Sequence, residues 1–161
     1  MKRALVIGCP GSGKSTFSRA LREKTGLPLI HLDRLYWNED GTTVEKVVFR
    51  QRLNNALESE AWIIDGDYAS TMELRLERCD TVFFLDYPTE LCLAGVRDRV
   101  GVPRPDLPWT ETAEDAELIR VVQAYRRAKR PVVLELLKRY SDREIHIFSS
   151  RREATAFLDN I

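Results

Sequence analysis

Short, continuous apolar runs recur along the chain, separated by segments whose apolar residues repeat every three or four positions. Uninterrupted apolar character is typical of strands that are buried on both faces of a parallel sheet. The runs predict five strands, at 4–8, 27–33, 61–66, 80–86 and 144–148. The helical repeat between them predicts helices at about 14–24, 44–60, 71–78, 91–100 and 114–140, with a last helix from residue 150. Strands that alternate with helices predict an α/β fold, with a parallel sheet and helices on both of its faces.

Local signals set the ends of some of these helices. Thr42 with Glu45, and Ser150 with Glu153, have the spacing of capping boxes, in which a hydroxyl and a carboxylate each accept a backbone N–H. Pro131 is expected to break or restart the long helix at 114–140. Three prolines forbid regular structure in the stretch at about 97–112, which is the one candidate subdomain within a single domain at 1–161.

Composition narrows the classes of protein further. The 161 residues suit one domain with a substantial core. Lys plus Arg and Asp plus Glu both number 25, and the zero net charge gives no argument for a nucleic-acid or membrane partner. Three cysteines without a close pairing pattern argue against a disulfide framework and predict a cytoplasmic location. No apolar run has the length of a membrane span, and the run that ends at Ile7 is too short for an export signal.

The segment between the first strand and the first helix reads GCPGSGKST, residues 8–16. This is the phosphate-binding P-loop pattern, G-x-x-x-x-G-K-[ST], in the strand–turn–helix context that the motif requires. Glycines let successive N–H groups turn toward one point, and the helix N-terminus adds positive potential. Lys14 is expected on the β- and γ-phosphates of ATP and Ser15 on Mg²⁺. The residues expected to bind ATP are Gly8, Pro10, Gly11, Ser12, Gly13, Lys14, Ser15 and Thr16.

A magnesium ion at this loop needs a carboxylate at the end of a neighbouring apolar strand. Asp65 and Asp86 each end such a strand. Asp65 is the better candidate if the third strand lies beside the first, whereas Asp86, just before Pro88, fits a structural role. We therefore expect Ser15 and Asp65 to hold Mg²⁺, with Asp65 acting through water.

Other branches of P-loop proteins fit the sequence poorly. A GTPase carries an Asn-Lys-x-Asp motif that reads guanine, and this chain contains no Asn-Lys pair. AAA-type ATPases and helicases need a longer chain. A short domain with a proline- and arginine-bearing insert late in the chain favours a small-molecule or nucleoside monophosphate kinase.

Four stretches carry a more specific resemblance: GCPGSGKST, IHLDRLYW, the run from WIIDGDYAST to CDTVFFLD, and YRRAKRP. Together they resemble the adenylate-kinase-like proteins called topology modulation proteins, over nearly the whole chain. That family name reports a genetic phenotype and specifies no chemistry. The resemblance implies a P-loop NTPase three-layer sandwich with strand order 2-3-1-4-5. It also implies ATP and Mg²⁺ binding, phosphoryl transfer and a mobile lid over about 97–112.

The resemblance also suggests residues for an acceptor. Adenylate kinases have an apolar strand ending in Asp-Gly, whose glycine approaches the acceptor phosphate, and Asp65 with Gly66 matches it. The Phe-Pro-Arg that follows in adenylate kinases is replaced here by Asp67-Tyr68-Ala69. An acceptor-binding arginine is therefore missing at that place, and Arg75 or Arg78 is the candidate substitute.

The region after the second strand departs from adenylate kinases as well. They place an arginine three residues beyond the acidic residue there, whereas Arg34 follows Asp33 at once and position 36 is Tyr. Shikimate and gluconate kinases instead use an aspartate after this strand to hold an acceptor hydroxyl, a role that Asp33 matches. The expected acceptor-binding residues are Asp33, Arg34, Gly66, Asp67, Tyr68 and Arg75.

Arginines must surround a transferring phosphoryl group, because its transfer depends mostly on positioning and on charge stabilisation. The candidates in or beside the lid are Arg97, Arg99 and Arg104. The candidates on the long helix are Arg126, Arg127 and Arg130. We expect Arg97 and Arg127 to be catalytic together with Lys14 and Asp33, and Arg104 to contact ATP. The alternative for each arginine is an ordinary place on a solvated surface.

The remaining histidines and aromatics are less specific. His31 and His146 lie in predicted strands and are expected to be packed and hydrogen-bonded. Tyr36, Trp37 and Tyr68 could stack on the ring of an acceptor or simply pack at the ends of strands.

These expectations combine into an ATP-dependent phosphotransferase that resembles nucleoside monophosphate kinases and acts on a small acceptor. Two alternatives stay open. One is a hydroxyl kinase of the shikimate or gluconate kinase type. The other is a nucleotide-dependent regulatory protein that affects DNA topology. No nucleic-acid partner is expected from the residues, and the chain is expected to be a monomer or a homodimer.

Overall fold

The parallel sheet that the apolar runs predict is present, and its strands pair in the order β2-β3-β1-β4-β5. The computed structural model describes residues 1–161. Its strands are β1 (Arg3–Gly8), β2 (Leu29–His31), β3 (Trp62–Asp65), β4 (Thr81–Leu85) and β5 (Glu144–Phe148). Every pairing is parallel. The predicted fold class, a three-layer α/β sandwich of the P-loop type with strand order 2-3-1-4-5, is therefore confirmed.

Helices connect the strands and cover the sheet. They are α1 (Lys14–Thr25), α2 (Leu32–Tyr36), α3 (Lys46–Leu57), α4 (Ala69–Arg78), α5 (Thr89–Asp98), α6 (Ala116–Ala128), α7 (Arg130–Arg139) and α8 (Arg151–Asp159). Pro131 stands in the first turn of α7, where a missing N–H breaks no helical bond, so the predicted long helix is two helices. None of the helices combines the length and the apolar character that a membrane crossing needs.

Side chains alternate along β1 between two separate apolar cores, one on each face of the sheet. Ala4 and Val6 belong to the core that α1, α5, α6 and α8 complete. Leu5 and Ile7 belong to the core that α3, α4 and α7 complete. All four side chains are fully buried, which explains why the apolar run in the sequence has no polar alternation.

The second predicted strand ends earlier than expected and gives way to a helix. His31, its last residue, pairs in register with Asp65, the last residue of β3, which is its one neighbour in the sheet. Further residues would have no strand to bond with, and the chain forms α2 instead, anchored by the buried Leu32. Asp33, predicted at the end of a strand, therefore lies on a helix.

One predicted capping box is wrong and the other is shifted by one residue. Glu45 is the N-cap of α3 and its side chain makes no capping bond. Thr42 instead donates from both its backbone N–H and its hydroxyl to Asp40, which closes a turn. Ser150 does accept from the Glu153 N–H, but the Glu153 carboxylate accepts from Ser149.

The loop after β1 rests on α5 through two glycines. A Cβ on Gly11 would lie 2.0 Å from the carbonyl oxygen of Cys92. A Cβ on Gly95 would lie 2.1 Å from the carbonyl oxygen of Gly11. Both distances are far shorter than a van der Waals contact. The loop can take this position only because neither glycine has a side chain.

Replacing Gly95 by alanine is therefore expected to push the loop away from α5. Overpacking of this kind costs about 1–3 kcal/mol, and we expect urea unfolding of Gly95→Ala to show a loss in that range. ATP affinity should fall as well, because the displaced loop carries the phosphate site. Ala94→Ser adds an atom to the exposed face of the same helix and is the control. Equal stability of the two variants would show that the loop does not depend on this contact.

Candidate functional site

Two cavities open at the carboxyl ends of the strands, where a parallel α/β sheet forms its ligand sites. The P-loop cavity, of about 430 Å³, lies over residues 11–16. The aromatic cavity, of about 530 Å³, is lined by Tyr36, Trp37, Tyr68 and Trp109 among others. The residues that line both cavities are Lys14, Asp33, Gly66, Arg99 and Arg104. The two cavities therefore meet at a junction that carries charges of both signs.

The P-loop cavity has the features of an anion site. Within the loop and the first turn of α1, five lining residues have a backbone N–H that donates to no backbone carbonyl, namely Gly11, Gly13, Lys14, Ser15 and Thr16. Gly13 has a φ of 92° and begins α1 without a side-chain cap. Unpaired N–H groups at a helix N-terminus attract phosphate. The Lys14 ammonium donates to the carbonyls of Gly8 and Cys9 at 2.9 and 3.0 Å and adds a positive charge beside them. These residues fit the polyphosphate of a nucleotide.

The two residues expected to hold Mg²⁺ both line the P-loop cavity. Asp65 stands on β3 opposite Val6 of β1, so the third strand is the neighbour of the first, as its assignment required. The Ser15 hydroxyl accepts from Arg19 at 2.6 Å. No group of three or more His, Cys, Asp or Glu side chains could enclose a metal. Magnesium would thus depend mainly on phosphate oxygens and water, which is its usual mode of binding. The metal role of Ser15 and Asp65 stays a prediction.

His31 turns out to be the partner of Asp65. Its Nδ1 lies 2.9 and 2.8 Å from the two carboxylate oxygens, and both side chains are largely buried. The pair joins the ends of β2 and β3, which fixes the direction of the carboxylate. The sequence suggested only a packed histidine, because this contact depends on the register between two strands.

The arginines of the long helix do not reach the cavities. Arg130 makes three hydrogen bonds of 2.8–3.0 Å to the carboxylate of Asp86, and Arg126 approaches the same carboxylate at 3.5 Å. Asp86 therefore has the structural role expected of it. Arg127, predicted to be catalytic, is exposed on α6 and lines neither cavity, because the buried face of this helix is formed by Val122 and Tyr125.

Of the three arginines in or beside the lid, two line the cavities and one does not. Arg97, predicted to be catalytic, is half-exposed, pairs with Glu114 at 3.3 Å and lines neither cavity. Arg104 lines both cavities and donates to Asp106 and Glu111 at 3.0 and 2.8 Å. Arg99 also lines both, and its Nε lies 3.2 Å from Glu111. Burial and the nearby charge of Arg104 lower the pKa of Arg99. Arg97 lies within α5 and Arg99 caps its C-terminal end, and of these two arginines it is Arg99 that reaches the site.

Asp33 stands at the junction and is held by Tyr68. The phenol O–H of Tyr68 donates to Asp33 Oδ1 at 2.5 Å. Burial raises the pKa of Asp33 above its ordinary value, while the bond from Tyr68 and the charge of Lys14 act in the opposite direction. A buried carboxylate with a raised pKa is a stronger base than an exposed one, which suits it to accept a proton.

The turn after β3 depends on Arg75, which was expected to bind the acceptor. Arg75 is fully buried, and its guanidinium donates to the carbonyls of Gly66, Asp67 and Tyr68 at 2.9, 2.8 and 3.0 Å. Burial lowers its pKa to about 10, so it stays charged at neutral pH. Arg75 therefore supports the turn from below and lines neither cavity, and its assignment to the acceptor stays a prediction.

The other predicted acceptor residues are divided between the cavity and the surface. Gly66, Asp67 and Tyr68 line the aromatic cavity, and Asp67 pairs with Lys129 at 3.4 Å. Arg34 is exposed, lines neither cavity and donates to the carbonyl of Pro105. It joins α2 to the lid rather than facing a ligand.

Several residues of the site had no signal in the sequence. They are Arg19, Trp109, Glu111, Lys129 and Arg151. Most lie in the irregular lid or on helices after it, where periodicity does not indicate which side chain turns inward. The available clue was the group of acidic residues at 106–115, whose charges could have been paired with the arginines of the lid.

Comparison with known proteins supports the fold. The sequence matches no protein-family model and no curated protein. Among solved structures, a shikimate kinase of Acinetobacter baumannii in complex with shikimate is similar, with a TM-score of 0.66 and 21% identity over 99% of this chain and 90% of that one. The shikimate kinase of Bacteroides thetaiotaomicron has a TM-score of 0.59 and 19% identity, over 99% and 95% of the two chains. At these identities the likeness concerns the fold alone. The resemblance to topology modulation proteins still rests only on the sequence motifs.

Replacing Arg75 by methionine should unfold the protein more easily. Each bond from a charged donor to a buried carbonyl contributes about 1.5–3 kcal/mol, and we expect a net loss of roughly 2–4 kcal/mol because removal of the buried charge offsets part of it. Urea unfolding measures this. Arg78→Met, on the exposed face of the same helix, is the control and should change little. A variant that kept its stability but lost acceptor binding would restore the original assignment of Arg75.

Proposed function

We propose that this protein is an ATP-dependent phosphotransferase that phosphorylates a hydroxyl group of a small acceptor. The observation that carries the proposal is the position of Asp33, a partly buried carboxylate that lines both the P-loop cavity and the aromatic cavity. A nucleotide phosphate on one side and an alcohol on the other would meet beside it. The fold similarity to shikimate kinases, one of which was solved with the small alcohol shikimate, supports a kinase of this kind.

Bound Mg-ATP would supply the γ-phosphoryl group and the cation that neutralises its charge. The protein contributes the positioning. Lys14 and the loop N–H groups would bind the phosphates, and Ser15 with Asp65 would hold the metal. Arg99 and Arg104 line the junction and are better placed than Arg97 and Arg127 to stabilise charge on the group in transfer.

The presence of Asp33 favours an alcohol over a nucleoside monophosphate as the acceptor. An alcohol must lose a proton when it attacks phosphorus, whereas the phosphate of a nucleoside monophosphate is already anionic and needs little help from a base. Asp33 accepts a bond from Tyr68 with one oxygen, and its second oxygen has no partner in the protein. That oxygen is free to orient the hydroxyl and take its proton.

A panel of hydroxylated metabolites and nucleoside monophosphates, supplied with Mg-ATP, tests the proposal through release of ADP. At least one alcohol should stimulate ADP release. Lys14→Ala should lower that rate by about 10²-fold or more, because it removes a charge that stabilises the transferring group. Lys24→Ala, at the exposed far end of α1, is the matched control. ATP binding with no stimulation by any acceptor would favour a regulatory protein instead.

Asp33→Asn tests the base. We expect kcat with an alcohol to fall by about 10²–10⁴-fold, the usual contribution of a general base. In the unaltered protein the rate should decline as the pH falls through the raised pKa of Asp33, since the proton-accepting form is lost below it. This acidic limb should vanish in Asp33→Asn.

The stability of Asp33→Asn separates chemistry from folding. Burial disfavours the ionised carboxylate, so its contribution to stability declines as the pH rises through the raised pKa. Asparagine should therefore be neutral or stabilising at pH 7. Asp159→Asn, exposed on α8, is the charge-matched control. An unchanged rate and pH profile in Asp33→Asn would exclude Asp33 as the base.

A further inference from the structure

We propose that the acceptor is a neutral alcohol that carries a flat ring and has the size of a nucleoside, a proposal that rests on the phosphotransferase function above. A phosphate ester and a carboxylate are excluded as acceptors. Three features of the aromatic cavity lead to this class: its ring-lined wall, the sign of its charges, and the state of every arginine near it.

Aromatic rings form one wall of the cavity. Trp37 and Trp109 lie with ring centres 5.4 Å apart, and Tyr36 contacts both Trp37 and Tyr68 at 5.5 and 5.1 Å. Trp109 comes from the lid and the others from α2 and the turn after β3, so the wall forms only in the fold. The volume of about 530 Å³ is in the range of small-molecule sites. Such walls favour a ligand that offers a flat face.

One polar group on this wall lacks a partner. The indole N–H of Trp109 is buried and has no acceptor in the protein. A buried donor without an acceptor is unfavourable, and a ring heteroatom or hydroxyl of the acceptor would satisfy it. This feature favours a polar ring over a hydrocarbon.

The charges of the cavity oppose an anionic ligand. Beyond the five junction residues, its lining holds four acids and one base. The acids are Asp67, Glu111, Glu114 and Asp115, and the base is Lys129. Lys129 already pairs with Asp67. Over the whole lining, junction included, five acids stand against four bases, so a phosphate or carboxylate would meet more acids than bases only on the side away from the junction.

No arginine remains for an anionic group of the acceptor. Arg104 is held between Asp106 and Glu111, Arg75 lies beneath the turn, and Arg34 bonds to Pro105. Arg99, whose buried Nε has no hydrogen-bond partner, stands at the junction, where the transferred group must pass. A free guanidinium is the common partner of a phosphate monoester or a carboxylate, and no further one lines the aromatic cavity.

Phosphoryl transfer to a neutral alcohol accounts for every bond, electron pair and proton. The acceptor oxygen forms a bond to the γ-phosphorus while the bond from that phosphorus to the β–γ bridging oxygen breaks. The electron pair of the broken bond leaves on ADP. The hydroxyl proton passes to Asp33 and then to solvent, so the products are a phosphate monoester, ADP and a proton.

Matched pairs of acceptors test the class: adenosine with AMP, guanosine with GMP, cytidine with CMP and uridine with UMP, with shikimate as the carboxylate. With Mg-ATP, we expect one or more nucleosides to be phosphorylated, with kcat/KM at least about 10²-fold above that of the matching monophosphate. Phosphorylation of a monophosphate or of shikimate in preference to every nucleoside would overturn the assignment while leaving the phosphotransferase function intact.

Binding without turnover keeps the two proposals separable. Nucleosides should quench tryptophan fluorescence in Lys14→Ala, since Trp37 and Trp109 line the cavity while Trp62 is fully buried. Quenching by nucleosides, without turnover of any acceptor by the unaltered protein, would support the ligand class and contradict the phosphotransferase. Neither quenching nor turnover with nucleosides would overturn the ligand class.

Two variants at the acids test the cause of selectivity. Glu111→Gln frees Arg99 and Arg104 from their carboxylate and should raise affinity for the monophosphate by about tenfold relative to the nucleoside. Glu114→Gln is expected to shift the same ratio in the same direction but less, and it leaves the buried lid contacts intact if Glu111→Gln folds poorly. An unchanged ratio in folded Glu111→Gln and in Glu114→Gln would contradict the role of these charges.

Discussion

A single buried cation, Arg75, holds the turn on which the candidate site depends. Its guanidinium gathers the three successive carbonyls of residues 66–68. The turn includes Tyr68 at a φ of 22°, the one positive-φ residue in the chain that is not glycine. A backbone of that kind is unfavourable by about 1–3 kcal/mol and persists only when its surroundings enforce it. Because Tyr68 in turn bonds to Asp33, the support extends from a helix beneath the sheet to the carboxylate at the junction.

The zero net charge of the chain conceals an uneven distribution of charge at the site. The junction holds three cations, Lys14, Arg99 and Arg104, against one acid, Asp33. The rest of the aromatic cavity holds four acids and one cation. Composition alone could not reveal this, since opposite charges sum to zero over the whole sequence. The junction and the aromatic wall therefore differ in the sign of the charge that lines them.

The sequence allowed the sheet and the P-loop to be predicted because both are encoded locally. A buried parallel strand is a continuous apolar run, and the P-loop is a contiguous motif. The boundary between β2 and α2 was not predictable, since it depends on where β3 ends. The contact of His31 with Asp65 likewise requires the register of two strands 34 residues apart.

The buried position of Arg75 was closer to being predictable than its expected place at the acceptor suggests. It lies on the same face of α4 as the buried residues Thr71, Met72 and Leu76. An arginine inside an apolar stripe is an exception that calls for internal partners, whereas Arg78 lies outside the stripe. The lid gave no such signal, because irregular backbone has no period from which inward and outward positions can be read.

The lid belongs to both cavities at once. Arg34 holds it at Pro105, and Trp109 packs over Gly41 and against Trp37 in the aromatic cavity, while Arg99 and Arg104 also line the P-loop cavity. A ligand in one cavity that stabilises this arrangement of the lid also favours binding of a ligand in the other cavity. By thermodynamic linkage the effect is reciprocal: whatever factor the acceptor adds to nucleotide affinity, the nucleotide adds to acceptor affinity. The order in which the two ligands arrive can change the rate of assembly, but it cannot change the total free energy of binding.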